Sequence, residues 1–290
     1  MKNIIPVLWF EKDGEKAAEF YTSVFPKSKL KGATYGPDGK VITMDFEIGG
    51  VDLGILNGGA NFEKNPSISF TVYLESKEEI DAVWKALSNE GKVLMPLKSY
   101  EFSEYYGWVQ DAYSVSWQLT YGKNMDSMVV PSLLFTKDHY GQAEEAIGRY
   151  TSIFEGSRIH DLYHYGEDQL TNHKEALMYG AFQLGDQKFI AMDSGLDHEY
   201  TFNEGISLMV LCDSQEEIDQ LWDTLSAVPH AEQCGWLKDQ FGVSWQIVPR
   251  VLNEYLRDED KDRANRVMDL VLKMKKLEIG PLKAAYTGEE

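Results

Sequence analysis

The chain repeats itself, and this limits its possible folds more than any other feature. Blocks recur in the same order about 125 to 138 residues apart. Leu8-Trp9-Phe10 is answered by Leu133-Leu134-Phe135, and Tyr21-Thr22-Ser23-Val24-Phe25 by Tyr150-Thr151-Ser152-Ile153-Phe154. Ser76-Lys77-Glu78-Glu79-Ile80-Asp81 returns as Ser214-Gln215-Glu216-Glu217-Ile218-Asp219. Near the end of each copy, Gly107-Trp108 with Val115-Ser116-Trp117-Gln118 is matched by Gly235-Trp236 with Val243-Ser244-Trp245-Gln246. Such order marks a tandem duplication, so one structural solution is used twice. The 290 residues then divide into a first domain at 1–124, a second at 128–250 and a tail at 251–290.

Within a copy the hydrophobic period switches between 2 and 3.6 in a fixed sequence. Ile4 to Phe10 reads as a strand and Gly14 to Phe25 as a helix with Ala17, Ala18, Tyr21 and Phe25 on one side. Three strands follow, with turn residues at Gly36-Pro37-Asp38-Gly39 and Gly49-Gly50. The βαβββ pattern then starts again at Ser67, its helix opened by Ser76 with Glu79 three residues on, a capping box. Two such units per copy make four in all, an α+β chain. In the tail, Val267, Leu270, Val271 and Met274 predict one amphipathic helix over 258–276, its apolar face packed on the domains or on a partner subunit.

Lys and Arg total 28 against 47 Asp and Glu, a net charge of −19, the wrong sign for gripping a phosphate backbone. Residues 128 to 250 carry −13 of it. Two cysteines, Cys212 and Cys234, are too few for a disulfide framework, and no apolar run reaches membrane-spanning length. These traits predict a cytoplasmic protein with no nucleic-acid or membrane partner.

The blocks Glu19-Phe20-Tyr21 and Val24-Phe25-Pro26, the run Phe102-Ser103-Glu104-Tyr105-Tyr106-Gly107-Trp108-Val109-Gln110-Asp111 and the closing Val-Ser-Trp-Gln resemble the PhnB-like proteins of the vicinal oxygen chelate superfamily, which includes glyoxalase I, bleomycin-resistance proteins and extradiol dioxygenases. The resemblance covers residues 1 to 250. It implies paired βαβββ units curving around a small-molecule cavity, with a divalent metal held by a first-strand His, a His or Glu of the next unit and a last-strand Glu. On this chain those positions fall on Pro6, Ser67 and Gln118, and in the second copy on Pro131, Gly205 and Gln246. None is an imidazole or a carboxylate, so no metal and no cofactor is expected. Proteins of this group are often labelled demethylubiquinone methyltransferases. Here the Gly-rich stretch from Gly49 to Gly59 sits inside a strand pair instead of opening a helix, as a nucleotide-type cofactor site would require.

All six histidines lie beyond residue 138. His160 and His164 have the spacing of a helical metal pair, but they fall on a strand, where residues four apart stand about 13 Å apart. The ligand-binding candidates are Gln118 and Gln246 as polar handles, together with Ser67, Phe10, Trp108 and Trp236. No catalytic group is assigned beyond Glu104, a candidate acid or base. Asp111 and Asp239 read as turn residues, Trp117 and Trp245 as packing, and Trp108 and Trp236 also as core-completing side chains. Three functional readings follow: a metal-independent small-molecule binder; a diverged lyase, isomerase or dioxygenase with a non-standard or absent metal; or a structural protein whose tail mediates assembly. The copies are expected to form an internal pseudo-dimer, and a homodimer is possible.

Overall fold

The computed structural model describes residues 4–289 except 37, 123–125, 168 and 170, so Pro37 of the first expected turn and the start of the link between the copies lie outside the described residues. The first copy runs β1 (Ile4–Phe10), α1 (Gly14–Val24), β2 (Ser28–Tyr35), β3 (Val41–Ile48), β4 (Val51–Asn57), β5 (Ile68–Leu74), α2 (Lys77–Ser88), β6 (Lys92–Tyr100), β7 (Ser103–Gln110) and β8 (Ser116–Tyr121). The second runs β9 (Val129–Phe135), α3 (Ala143–Ile153), β10 (Arg158–His164), β11 (Leu177–Leu184), β12 (Gln187–Asp193), β13 (Ile206–Cys212), α4 (Gln215–Leu225), β14 (Trp236–Lys238) and β15 (Ser244–Pro249). Ser76 caps α2 by accepting from the Glu79 amide, as its spacing predicts, and Ser214 caps α4 in the same way.

Neither sheet belongs to one copy. The seven-stranded sheet has the order β14-β15-β13-β1-β4-β3-β2 and the eight-stranded sheet β10-β11-β12-β9-β5-β8-β7-β6. Each seam is an antiparallel pair of five residues from each copy: Ile4–Leu8 against Ile206–Val210, and Ile68–Val72 against Val129–Leu133. One half of each copy therefore completes a sheet with the opposite half of the other, giving a pseudo-dimer inside one chain.

The helix-bearing faces of the sheets share one hydrophobic core drawn from both copies. Tyr21 of α1 shows how it closes. Its ring stacks near Phe46 of the seven-stranded sheet and lies 5.1 Å from Trp117 of the eight-stranded one. Trp117 and Trp245 are wholly buried in aromatic clusters with Phe25 and Phe70, and with Tyr150 and Phe154. Rings at these separations add to the large area they bury.

Two expectations change here. The fourth unit has only two described strands after its helix. Ser76 to Gly107 spans 31 residues but Ser214 to Gly235 only 21, so the counterpart of β6 has no chain to form it. The tail supplies a substitute, as the Cys234 and Gly235 amides donate to the Met274 and Lys275 carbonyls. The tail itself is three short helices, α5 (Val251–Leu256), α6 (Lys261–Val271) and α7 (Ile279–Thr287), in place of the single helix expected over 258–276.

Candidate functional site

The faces turned away from the helices differ in a way the repeats alone do not suggest. On the seven-stranded sheet, Ile5, Met209, Leu211 and Val248 are covered by a second cluster built from Leu252, Val267, Val271, Leu277 and Leu282 of the tail. Arg257 reaches the far edge of the same sheet and pairs with Asp45. At the other end Trp9 packs edge-on against Phe62 and Trp236, with ring centres 5.0 and 5.8 Å away. Between them, Gln246 donates to Ser207 Oγ at 2.9 Å. This face is occupied by its own chain.

The corresponding face of the eight-stranded sheet is not used by the tail cluster, whose sheet residues all belong to the other sheet. Its floor is a row of small polar side chains. Gln118 Nε2 donates to Ser69 Oγ at 2.8 Å, and Gln118 Oε1 accepts from Tyr106 Oη at 2.7 Å. Thr71 and Ser132 hydroxyls pair at 2.8 Å, and Ser103 and Thr120 at 3.0 Å. Gln118, Ser69, Thr71 and Ser132 are all buried. Alternation brings them to one side, because each sits between residues such as Trp117, Phe70 and Leu133 that point into the core. Half-buried Trp108 lies directly across from Gln118, and Tyr100, Phe102 and Tyr106 form an aromatic edge with ring centres 5.1 to 5.8 Å apart. Burial raises the Tyr106 phenol above its ordinary value, so it stays a donor at neutral pH. On the far side Tyr73 and Tyr179 interact through their hydroxyls, and both are raised by burial.

The sequence candidates therefore separate. Gln118 and Trp108 meet on this floor, and Ser67 lies just before β5 on the same strand path. Gln246 and Trp236 also meet, directly opposed across β14 and β15, but on the tail-covered face. Trp108 and Trp236 are half-buried on these faces and do not complete the core, because their cross-strand partners are the two glutamines. Phe10 is a ligand candidate that the structure places elsewhere: it packs on the helix side, beside Tyr113 and under the Lys64 ammonium. Glu104 stands exposed at the start of β7, one step along the face from Tyr106. Tyr106 and Ser69 were missed by sequence reading, although Tyr106 precedes Trp108 by the two residues that put both on one face.

The superfamily's metal does not fit this donor set. Pro6 pairs across from Leu208 and Pro131 from Phe70, both on the helix side. The side chains that do face away from the helices beside each glutamine are the hydroxyls of Ser69 and Ser132 in one sheet, and Val7 and Ser207 in the other. Neutral hydroxyl, amide and alkyl groups offer none of the imidazole or carboxylate ligands a divalent ion needs. Among the described residues no group of three His, Cys, Asp or Glu is placed to hold an ion. His160 and His164 do sit on strand β10, with His164 against Glu144.

Asp111 and Asp239 are buried hubs that start turns. Asp111 accepts from Tyr21 Oη, Trp117 Nε1 and the amides of Tyr113 and Val115, all within 3.0 Å. Asp239 accepts the same set from Tyr150, Trp245, Phe241 and Val243. Desolvation pushes both carboxyls up while these donors pull them down. Every lone pair has a structural use, so neither carboxylate is left for chemistry.

Comparison with known proteins agrees with this architecture. A family model described as 3-demethylubiquinone-9 3-methyltransferase matches residues 2–120 and again 127–248. A PhnB protein from Bacillus cereus, named for the same methyltransferase, is 38% identical over 41% of this chain and 98% of its own, with a TM-score of 0.40. Glyoxalase I from Zea mays is 12% identical, with a TM-score of 0.58 over 88% of this chain and 95% of its own, and it shares the fold across both copies. No curated protein sequence matches.

Proposed function

The chain belongs to the 3-demethylubiquinone-9 3-methyltransferase family of PhnB-like proteins, a branch of the vicinal oxygen chelate fold, and from that premise we propose that it binds one small molecule per chain on the tail-free face of the eight-stranded sheet, without a catalytic metal. One observation carries this reading: the tail occupies one of two equivalent faces and leaves the other with a polar floor between aromatic edges. A ligand there exchanges hydrogen bonds with Gln118, Tyr106 and Ser69 while an apolar or aromatic part lies against Trp108. The floor groups already satisfy one another, so the ligand must replace those bonds, which favours a neutral molecule with both donor and acceptor atoms. We also propose a cytoplasmic location, supported by the two cysteines, too few for a disulfide framework. No described helix is long and apolar enough to cross a membrane.

The test is a thermal-shift screen of neutral aromatic amides, lactones and phenols, with hits repeated on Gln118→Ala, Tyr106→Phe and Gln246→Ala. Hits should lose about tenfold or more in affinity with Gln118→Ala and keep it with Gln246→Ala, at one equivalent per chain by calorimetry. Hits that depend on Gln246, or an absence of hits across the screen, would overturn the assignment; the second outcome would favour a purely structural role.

A further inference from the structure

A pair of reactive-type side chains lies at one end of this same face, and the two copies together show how it got there. Asn57 and Asp193 end β4 and β12 and take equivalent roles, accepting from the Gly14 and Gly141 amides. The next residues are Gly58 and Ser194, whose amides donate to the equivalent Phe10 and Phe135 carbonyls. In the first copy a Cβ at Gly58 would lie 2.2 Å from the Trp9 indole, so only glycine fits. In the second copy the counterpart of Trp9 is the smaller Leu134, on the tail-free face, and the position can carry a side chain. Asp193 turns its carboxylate to the helix side, so alternation puts Ser194 on the same side of the sheet as Leu134 and the polar floor, at the position equivalent to the one where Trp9 and its packing partner Phe62 close the other face.

Ser194 Oγ lies 2.8 Å from His198 Nε2, and the His198 ring is backed by Tyr200 at 4.9 Å. Tyr200 takes the place of Phe62, since Asn65 donates to the Thr201 carbonyl just as Asn203 donates to Glu63. Burial lowers His198 below its ordinary value, against the opposing charge of Asp197, so the imidazole is neutral at pH 7 and can accept a proton. Ser194 is 9% exposed, neither sealed in the core nor loose at the surface.

We propose that Ser194 and His198 form a nucleophile–base pair that acts on the carbonyl of a small aryl ester bound on this face. This rests on the ligand-site reading above. The Ser194 oxygen adds to the carbonyl carbon as His198 Nε2 takes the hydroxyl proton. The bond to the aryl oxygen breaks, the proton passes to that oxygen and the phenol leaves. Water then adds to the acyl-serine by the same route, releasing a carboxylic acid and restoring the serine.

A fluorophosphonate probe applied to the full chain, followed by peptide mapping, tests the pair directly, and p-nitrophenyl acetate tests turnover. Modification should map to Ser194, vanish in Ser194→Ala and fall at least tenfold in His198→Gln, with p-nitrophenol release falling in parallel. Modification elsewhere, no modification above a heat-denatured control, or equal labelling in His198→Gln would overturn the proposal. Mapping on the unaltered chain decides the matter even if a variant fails to fold. Because labelling reads Ser194 itself, the Gln118-dependent ligand screen can fail while this result stands, and the reverse also holds.

Discussion

At Lys64 the two copies differ in kind. Its side chain is 8% exposed, its ammonium lies 3.8 Å from the Phe10 ring centre and donates to the Trp9 carbonyl. In the second copy the same place against Phe135 is filled by Phe202, ring to ring at 4.9 Å. An ammonium stands where the other copy has an aromatic ring, and desolvation lowers its pKa to about 8 despite the pull of Asp111 and Glu63. The unfolded chain binds this proton more tightly than the folded one. The resulting penalty is complete below pH 8 and is relieved as pH rises toward the ordinary lysine value, so this group makes stability rise with pH across that window. Lys64→Phe should therefore stabilise the protein at pH 7 by about 1 to 3 kcal/mol and flatten the change between pH 8 and 9.5. Urea denaturation at pH 7, 8 and 9.5 measures both, and a variant that is less stable at pH 7 with the slope intact would show that the cation–ring contact outweighs its desolvation. Nothing in the sequence around Lys64 marks it, because Phe62-Glu63-Lys64-Asn65-Pro66 reads as an ordinary polar connection. Its burial arises only when the linkers of the two copies bond to each other.

At the level of elements, regular periodicity was legible and the contacts that lend it purpose were not. Strands β1, β5 and β8 and helices α1 to α4 follow from alternation, from the 3.6-residue period and from the Ser76 cap, all of them local signals. Ser103 and Glu104 are weak strand formers, yet Ser103 onward is strand β7, because pairing with β6 and β8 overrides weak local preference. The missing strand of the fourth unit was countable, at 21 residues where the first copy has 31. That the tail replaces it was not, because a contact between Gly235 and Leu277 leaves no local pattern. Leu277 is the keystone of this repair: fully buried, beside Gly235, with its carbonyl accepting from Gln215 on α4. Leu277→Ala should cost about 3 kcal/mol by the transfer and cavity terms, whereas Leu272→Ala, 58% exposed on the same tail, should stay within about 0.5 kcal/mol. Chemical denaturation followed by tryptophan fluorescence compares them, and equal small losses would mean that the tail rests on the sheet without being needed to close it.

For the whole molecule, the duplication indicated four units but not which ones share a sheet. Hydrophobic alternation fixes the buried face of β1 and β5 and is indifferent to whether the neighbour comes from the same copy. The observed exchange has a thermodynamic consequence. If the copies at 1–124 and 128–250 were each closed, cutting the chain between them would leave two independent domains. Instead, each would lose an antiparallel seam along β1 or β13 and another along β5 or β9, exposing Ile4, Leu8, Ile68, Phe70, Val129 and Leu133, all of them buried in the intact chain. Unpaired, apolar strand edges at the centre of a sheet do not persist in water. The first copy expressed alone as residues 1–126 should therefore dimerise through the same two seams, because its β1 and β5 can pair with those of a second copy in the antiparallel sense that β13 and β9 supply here. Mixed with residues 127–290 it should form a one-to-one complex, favoured because only the second copy carries the tail. Sedimentation velocity of each piece and of the mixture reads these states. A first copy that stays monomeric and cooperatively folded at micromolar concentration would mean that each copy can close on itself, and that the exchange depends on the covalent link instead of on the chemistry of the seams.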